Sequence, residues 1–377
     1  MTEAAPPPIV LPPTVPPATI GILGVGPTTR YFEQAARAMG YRTVVLDPRL
    51  AQKVLLKAAT ECDVITVVDH LPIKAMRTLA AKRPVHPSPD VVELCTDRVA
   101  LKRFLDDLGV GVGPHMIIET DDDIANAADT KFSAILKLRH HGAGRRGRVR
   151  VAAHPQLLAA WETLGRRPCV LEQRLTLGRE LAITVARTGD GRVASFPASQ
   201  QQYVHGRLEI SYAPASLLGS GQADAAELGA YIATELGIIG VLAVHMFVVG
   251  REVYVHELIP RPSALGLFTL DGSRTDQYEQ QLRAACGLAL GESAMTVPGV
   301  ALVGLPGELW SDGEPKWERV LSESTASLHL YDEEFVGQAD DGLESGFASR
   351  GHLAACSGTA AGSTSVVRRL RKQLTNG

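Results

Sequence analysis

The strongest constraint on the fold is an alternation in the first hundred residues. An apolar run, Thr19–Gly26 (TIGILGVG), enters a glycine turn. A stretch with helical spacing follows over Arg30–Met39, and then a β-rich run, Tyr41–Asp47 (YRTVVLD). Strand, turn, helix and strand make a βαβ unit, because parallel strands need a crossover that returns the chain to the same end of the sheet. The pattern repeats. Ala51–Thr60 reads as helix, Cys62–Val68 (CDVITVV) as strand, Ile73–Ala81 as helix, and Val85–Pro87 closes the series. A chain that begins this way is expected to form an α/β layer, a parallel sheet covered by helices.

Beyond Pro87-Ser88-Pro89, one helix is predicted over Asp90–Leu108, carrying Asp97, Arg98 and Lys102. Gly109–Pro114 (GVGVGP) reads as a boundary. Strands are expected at Met116–Glu119, Ser133–Leu138, Val149–Ala152, Cys169–Gln173 and Glu180–Arg187, with helices at Asp122–Ala128 and His154–Leu164. Gln222–Leu236 is an amphipathic helix, Gly240–Val249 and Glu252–Leu258 a hairpin turned at Gly250, and Gln277–Cys286 a helix. After Val300 short β-rich pieces follow at Ala301–Leu305, Ser327–Tyr331 and His352–Ala355, and the stretch from Gln338 to Ser365 reads mostly as turn.

The 377 residues suggest two or three domains. The expected division is a proline-rich disordered tail (1–18), a Rossmann-like α/β domain (19–112), a central domain (113–298) and a small β-rich C-terminal domain (299–377). With 38 basic against 41 acidic side chains the net charge is −3, so no general attraction to nucleic acid or anionic membrane is expected. Five scattered cysteines form no CxxC pair, which fits reduced thiols in a reducing compartment. The N-terminal stretch lacks the basic start and unbroken apolar run of a signal peptide, and no apolar stretch is long enough to span a bilayer. These features predict a cytoplasmic protein.

Three features carry candidate chemistry. The turn Gly21-Ile-Leu-Gly-Val-Gly26 reads either as a phosphate cradle or as a plain βα turn, and Pro27 interrupts a dinucleotide fingerprint. Lys137-Leu-Arg-His-His-Gly-Ala-Gly-Arg-Arg-Gly-Arg148 sets a lysine at a strand end before a cationic glycine loop. Such a loop suits an anion such as a nucleotide triphosphate, or is a solvated basic hairpin. His245 and His256-Glu257 lie on neighbouring strands before Pro260-Arg261-Pro262, where they form a divalent-metal pair or a core histidine with a hydrogen-bonded glutamate.

In this order the features resemble the ATP-grasp enzymes, and more narrowly the carboxyaminoimidazole ribonucleotide synthetase family. The matching text includes GILGVG, GYRTVVLDP, CDVIT, HPSPD, DRVALKRFL, LEQ…GREL, GVLAV and HELIPRP, spread from about Ile20 to His352. The resemblance implies an ATP-grasp fold with an N-terminal Rossmann-like domain and a small β-rich C-terminal domain. It implies a homodimer, ATP with Mg2+ or Mn2+, and a reaction in which bicarbonate or a carboxylate is activated and joined to an amine. Arg98 would contact ATP, and Lys137 would reach the phosphates. Glu172, Gln173 and Leu175 would form the adenine hinge, with Glu180 on the ribose hydroxyls. His256 stands where the family has an asparagine beside the metal ligand Glu257, and Arg261 follows. Arg146 replaces the glycine-loop lysine, so Lys137, Arg146 and Arg261 are the candidate catalytic cations.

The departures fall on the acceptor side. His245 replaces the second metal carboxylate, which favours manganese or zinc over magnesium. Gln200-Gln201 replaces a Glu-Asn pair, and Tyr203 aligns with a nearby histidine. Ser263-Ala264-Leu265-Gly266-Leu267 replaces His-Asn-Ser-Gly-His, while Glu333 and Ser349 replace two lysines. The expected enzyme is therefore a carbon–nitrogen ligase of this family with an altered acceptor, less polar or lacking a phosphate given Ala264, Leu265 and Leu267. The alternative is a catalytically degenerate, nucleotide-binding pseudoenzyme or scaffold.

Overall fold

The computed structural model describes residues 12–68, 72–129, 133–140, 147–175, 178–204, 207–331 and 350–375. The first layer is a parallel sheet of β1 (Thr19–Leu23), β2 (Arg42–Leu46), β3 (Val64–Val67) and β4 (Val85–His86), in the order β2-β1-β3-β4. All of β1 is buried, as its continuous apolar run predicts for a strand covered on both faces. In the glycine turn after β1, the Gly24 N–H is donated to the Leu46 carbonyl and the Gly26 N–H to Thr29 Oγ1. Those two amides are used inside the turn, which favours the plain βα connection over a phosphate cradle. On the same layer the Thr14 N–H is donated to Cys286 O at 2.8 Å, and Tyr41 Oη is donated to Thr14 O at 2.7 Å. The chain from Thr14 onward is thus docked on this layer.

The helix predicted over Asp90–Leu108 is two helices, Pro89–Thr96 and Arg98–Asp107. Asp97 breaks it. Its backbone is extended (φ −92°, ψ 103°), and its carboxylate accepts the N–H groups of Val99 and Ala100. Arg139 Nη2 reaches the same carboxylate at 2.8 Å. A capping aspartate is worth about 1 kcal/mol, and here it also fixes the start of the helix that bears Arg98 and Lys102.

A second, antiparallel sheet contains β5 (His115–Ile118), β6 (Ala134–Leu138), β7 (Arg148–Val151) and β8 (Cys169–Gln173), ordered β5-β8-β6-β7. Helix Leu157–Thr163 covers it, with Trp161 in the core beside Leu136 and Leu171.

The third sheet has nine strands: β9 (Arg179–Arg187), β10 (Val193–Ser195), β11 (Ser199–Val204), β12 (Arg207–Ala213), β13 (Gly240–Val249), β14 (Glu252–Ile259), β15 (Gly299–Gly304), β16 (Ala326–Leu330) and β17 (Gly351–Ser357). Their order is β14-β13-β9-β11-β12-β15-β17-β16, with β10 on β9. The β12–β15 pairing carries this sheet across residues 298–299 by continuous hydrogen bonding. The β13–β14 hairpin is the one predicted. Helix Ala360–Thr375, by contrast, begins in the stretch read as turn. Its first residues include Gly362, Ser363, Thr364 and Ser365, poor helix formers, so intrinsic propensity does not reveal it. Tertiary packing makes it: Val367, Leu370 and Leu374 enter a core with Ile210, Val303 and Leu353.

Gln281, on helix Gln277–Ala285, ties two sheets together. Its Oε1 accepts the Val241 N–H at 2.6 Å, and its Nε2 is donated to Thr66 Oγ1 and His86 O. Among the described residues no helix is long and apolar enough to cross a membrane.

Candidate active site

A cleft lies where the second sheet faces the third. Helix Arg98–Asp107 walls it with Arg98, Leu101, Lys102 and Leu105. β6 supplies Lys137, β8 Glu172, and β14 Val255, His256 and Glu257. The linker into this region runs against β14: the Val255 N–H is donated to Gly111 O at 2.8 Å. A Cβ on Gly111 would stand 2.9 Å from Val253 O, so only glycine allows that approach.

At the base of the cleft three charges are buried together. Glu172 Oε1 is 3.1 Å from Lys102 Nζ, and Oε2 is 2.5 Å from Lys137 Nζ. The register explains the meeting. Ile135 lies opposite Glu172 in the β6–β8 ladder, so Lys137 is its diagonal neighbour on the same face. Burial alone would push the Glu172 carboxyl up, but Lys137 and Lys102 overcome it and hold the group well below the usual carboxylate range. Two ammonium groups against one carboxylate leave a positive charge in excess. Beside apolar walls, that arrangement suits a planar base with attached anionic groups. Arg98 Nη1 is donated to Leu138 O at 2.7 Å.

Adjacent strand residues normally point to opposite faces, yet His256 and Glu257 both line the cleft. A β-bulge is the reason. His245 pairs with Glu257 and Met246 with Val255, so His256 is an extra residue in β14. His256 stacks on Phe247, with ring centroids 4.4 Å apart. Its burial, and next the charge of Lys137, hold the imidazole well below its ordinary pKa and therefore neutral.

His245 is 3 % exposed. Its Nε2 lies 3.3 Å from Glu180 Oε2 without an aligned hydrogen bond. Tyr203 stacks on the same imidazole. Burial and the nearby carboxylates of Glu180 and Glu257 raise the Tyr203 phenol, which stays protonated. Glu180, Tyr203, His245 and Glu257 thus converge at one end of the cleft.

The structure brings Arg98, Lys137, Glu172, His256 and Glu257 into one cleft. Gln173 continues β8, its N–H donated to Pro114 O, and Leu175 lies against Gly113. Arg261 follows β14 and faces Tyr278. Arg146, Glu333 and Ser349 lie outside the described residues. Two residues were not singled out as site residues from the sequence. Lys102 had a signal, standing one helical turn beyond Arg98. Tyr203 had only its alignment with a histidine.

The apolar residues of the loop after Pro262 do not form the less polar acceptor surface expected from Leu265 and Leu267. Leu265 packs with Ala182, Ala243 and Ile259, and Leu267 joins the core with Tyr31 and Phe268. Neither offers an apolar surface to a substrate. The loop is held from within by Gln277, whose Oε1 accepts the Ser263 N–H and whose Nε2 is donated to Ser263 O. Gln201 is also buried, donating through Nε2 to Ser199 Oγ at 2.8 Å.

Fold and cleft define an ATP-grasp protein: the ATP-grasp domain family matches residues 103–278. The N5-carboxyaminoimidazole ribonucleotide synthase of Mycobacterium leprae is 30% identical over 319 residues, covering 76% of this chain and 73% of that protein. The N5-carboxyaminoimidazole ribonucleotide synthetase structure from Thermus thermophilus matches with a TM-score of 0.82 at 26% identity, covering 94% of this chain and 98% of that one. A bifunctional purine synthesis protein of Dictyostelium discoideum is 28% identical over 93% of this chain, which spans 38% of that protein's length. The chain belongs to the N5-carboxyaminoimidazole ribonucleotide synthase family and is an ATP-grasp ligase that forms carbon–nitrogen bonds.

Proposed function

We propose that this ligase uses ATP to activate bicarbonate or another carboxylate and passes the activated carboxyl to an amine. In the first step a carboxylate oxygen attacks the γ-phosphorus, the bond to the β–γ bridging oxygen breaks, and ADP leaves. In the second the amine nitrogen attacks the acyl carbon, inorganic phosphate leaves, and the nitrogen gives up a proton. The attacking oxygen needs no general base, so positioning and charge stabilisation carry the first step.

The observation that supports this best is the buried Lys102–Glu172–Lys137 group facing Glu257 in one cleft. In this reading Lys137 and Arg98 hold the phosphates, with Arg146 and Arg261 as further cations at the transferred group. Gln173 and Leu175 present the adenine hinge, Glu180 receives the ribose hydroxyls, and neutral His256 packs beside the base. The fit to a divalent cation rests on His245, whose buried Nε2 has no aligned partner and lies beside the Glu180 carboxylate, across the ladder from Glu257. Glu257 and His245 would hold the ion, and this mixed donor set suits manganese better than magnesium. When bound, such an ion supplies charge compensation at the phosphoryl oxygens.

With Leu265 and Leu267 in the core, aminoimidazole ribonucleotide is the first acceptor to offer. Phosphate release from ATP should require both bicarbonate and an amine and should run faster with Mn2+ than with Mg2+. Glu257→Gln should lower it by about 100- to 1,000-fold. Release that ignores both the carboxylate and the amine would overturn the reading. The protein is further proposed to be a homodimer, which sedimentation equilibrium checks.

A further inference from the structure

A second cluster of ligating groups lies apart from the residues lining the cleft. Asp271 sits in the helical turn Thr269–Gly272, His329 on β16 and His352 on β17. The two histidines are direct partners in the β16–β17 ladder, so their side chains share a face. His329 Nε2 is 3.0 Å from Asp271 Oδ2. One ligand atom from each of the three residues lies within 4.8 Å of the others. His352 is 0 % exposed.

We propose that Asp271, His329 and His352 form a binding site for a divalent transition metal of the zinc class. Two imidazoles and a carboxylate are a ligand set that zinc and cobalt accept and that magnesium disfavours. With metal–ligand bonds of about 2.0–2.1 Å, tetrahedral ligands stand roughly 3.3 Å apart, so the Asp271–His329 spacing is already close. The Tyr331 hydroxyl lies 2.8 Å from His352 Nδ1. That contact assigns Nε2 as the metal-facing nitrogen, the pattern in which a metal-bound imidazole is oriented through its other nitrogen. The rings are parallel, 8° apart with centroids at 4.4 Å. Parallel rings aim their lone pairs side by side, so closing on one ion requires them to splay. Arg30, stacked on Tyr31 and Tyr331, brings a positive charge near the site. The two charges of the ion and that of Arg30 exceed the single negative charge of Asp271, so the fourth position favours an anionic ligand over water. An occupied site would tie the β16–β17 ladder to the turn at Asp271.

The test is metal binding by the full chain after chelator treatment, with Zn2+ or Co2+ alone as the probe. Metal content is read by atomic emission, and the ligands by the Co2+ visible spectrum. One equivalent should persist in a variant carrying both His245→Gln and Glu257→Gln. His329→Gln should weaken that equivalent at least tenfold. Should His329→Gln fail to fold by circular dichroism, Asp271→Asn takes its place with the same expectation. The proposal is overturned if the cleft double variant binds no metal, if a folded His329→Gln or Asp271→Asn binds as tightly as the parent, or if the Co2+ spectrum reports thiolate ligands.

Discussion

The two sides of this molecule are built from different polar materials. The cleft lined by Lys137, Glu172 and Glu257 rests on buried charge: Lys102, Lys137 and Glu172 are all largely shielded, each ammonium in reach of the one carboxylate. The region around Gln201 and the Ser263 loop rests on buried neutral amides and hydroxyls. Gln201 bonds to Ser199, and Gln277 pairs with both the N–H and the carbonyl of Ser263. Buried ion pairs are costly to break because the remaining partner keeps its charge in a poor medium, whereas a neutral pair leaves only an unsatisfied dipole. The first region is therefore rigid in composition as well as in shape. The second can exchange residues at smaller cost to the fold.

Single substitutions test that contrast. Glu172→Gln removes the carboxylate between two buried ammonium groups and should lower unfolding free energy by about 3–5 kcal/mol. Gln201→Ala removes a neutral side chain and should cost about 1–2 kcal/mol. Urea unfolding at pH 7 gives both numbers. Equal losses would mean that the charged cleft is screened by water and that the distinction has no energetic content.

A smaller effect comes from a third kind of buried group, the neutral histidine. Burial pushes His86 down to about 4 from its ordinary value near 6.5. The folded value lies below the unfolded one, so the unfolded chain binds more protons between those limits. Stability is full above pH 6.5 and is lost as the pH falls toward 4. Between pH 7 and 5 this one group should remove about 2 kcal/mol. His86→Leu should flatten that slope, while Glu172→Gln should leave it unchanged, because Lys137 and Lys102 hold the Glu172 carboxyl well below this window despite its burial. A slope unaffected by His86→Leu would move its origin to the other buried histidines, His256 or His352.

Much of this arrangement was legible in the sequence. Continuous apolar runs marked the parallel layer, and alternation with Gly250 marked the β13–β14 hairpin. Arg98, Lys137, Glu172 and Glu257 were identified through the family resemblance, and the fold brings them into one cleft. Most of what stayed hidden depends on long-range packing. Helix Ala360–Thr375 carries the poor helix formers Gly362 to Ser365 in its first turns and is held by the packing of Val367, Leu370 and Leu374. The break at Asp97 is a local cap hidden within continuous helical spacing, and Arg139, just past β6, reinforces it from a distance in sequence. Leu265 and Leu267 looked like substrate contacts because the loop aligns with one, but apolar residues in a polar motif also serve as anchors. The bulge at His256 leaves no mark in the period-two pattern, since an inserted residue shows only when the partner strand is known.

The bulge makes His245 the position where the contrast between the two sides can be sharpened most finely. It faces Glu257 across the ladder, so both residues address the same end of the cleft, and Glu180 closes the third side. His245→Glu would supply a hard oxygen ligand in place of nitrogen. Relative affinity should then move from Mn2+ toward Mg2+ by about tenfold, roughly 1.4 kcal/mol, as read by competition against Mn2+ in electron paramagnetic resonance. Without metal the same variant gathers three carboxylates around Tyr203, so its thermal midpoint should fall and recover on adding Mg2+. Recovery with Mg2+ would place the cleft's metal preference in this one side chain. A variant whose preference stays with Mn2+ would mean that the preference is set elsewhere in the cleft and that His245 serves mainly as the packing partner of Tyr203 and Phe247.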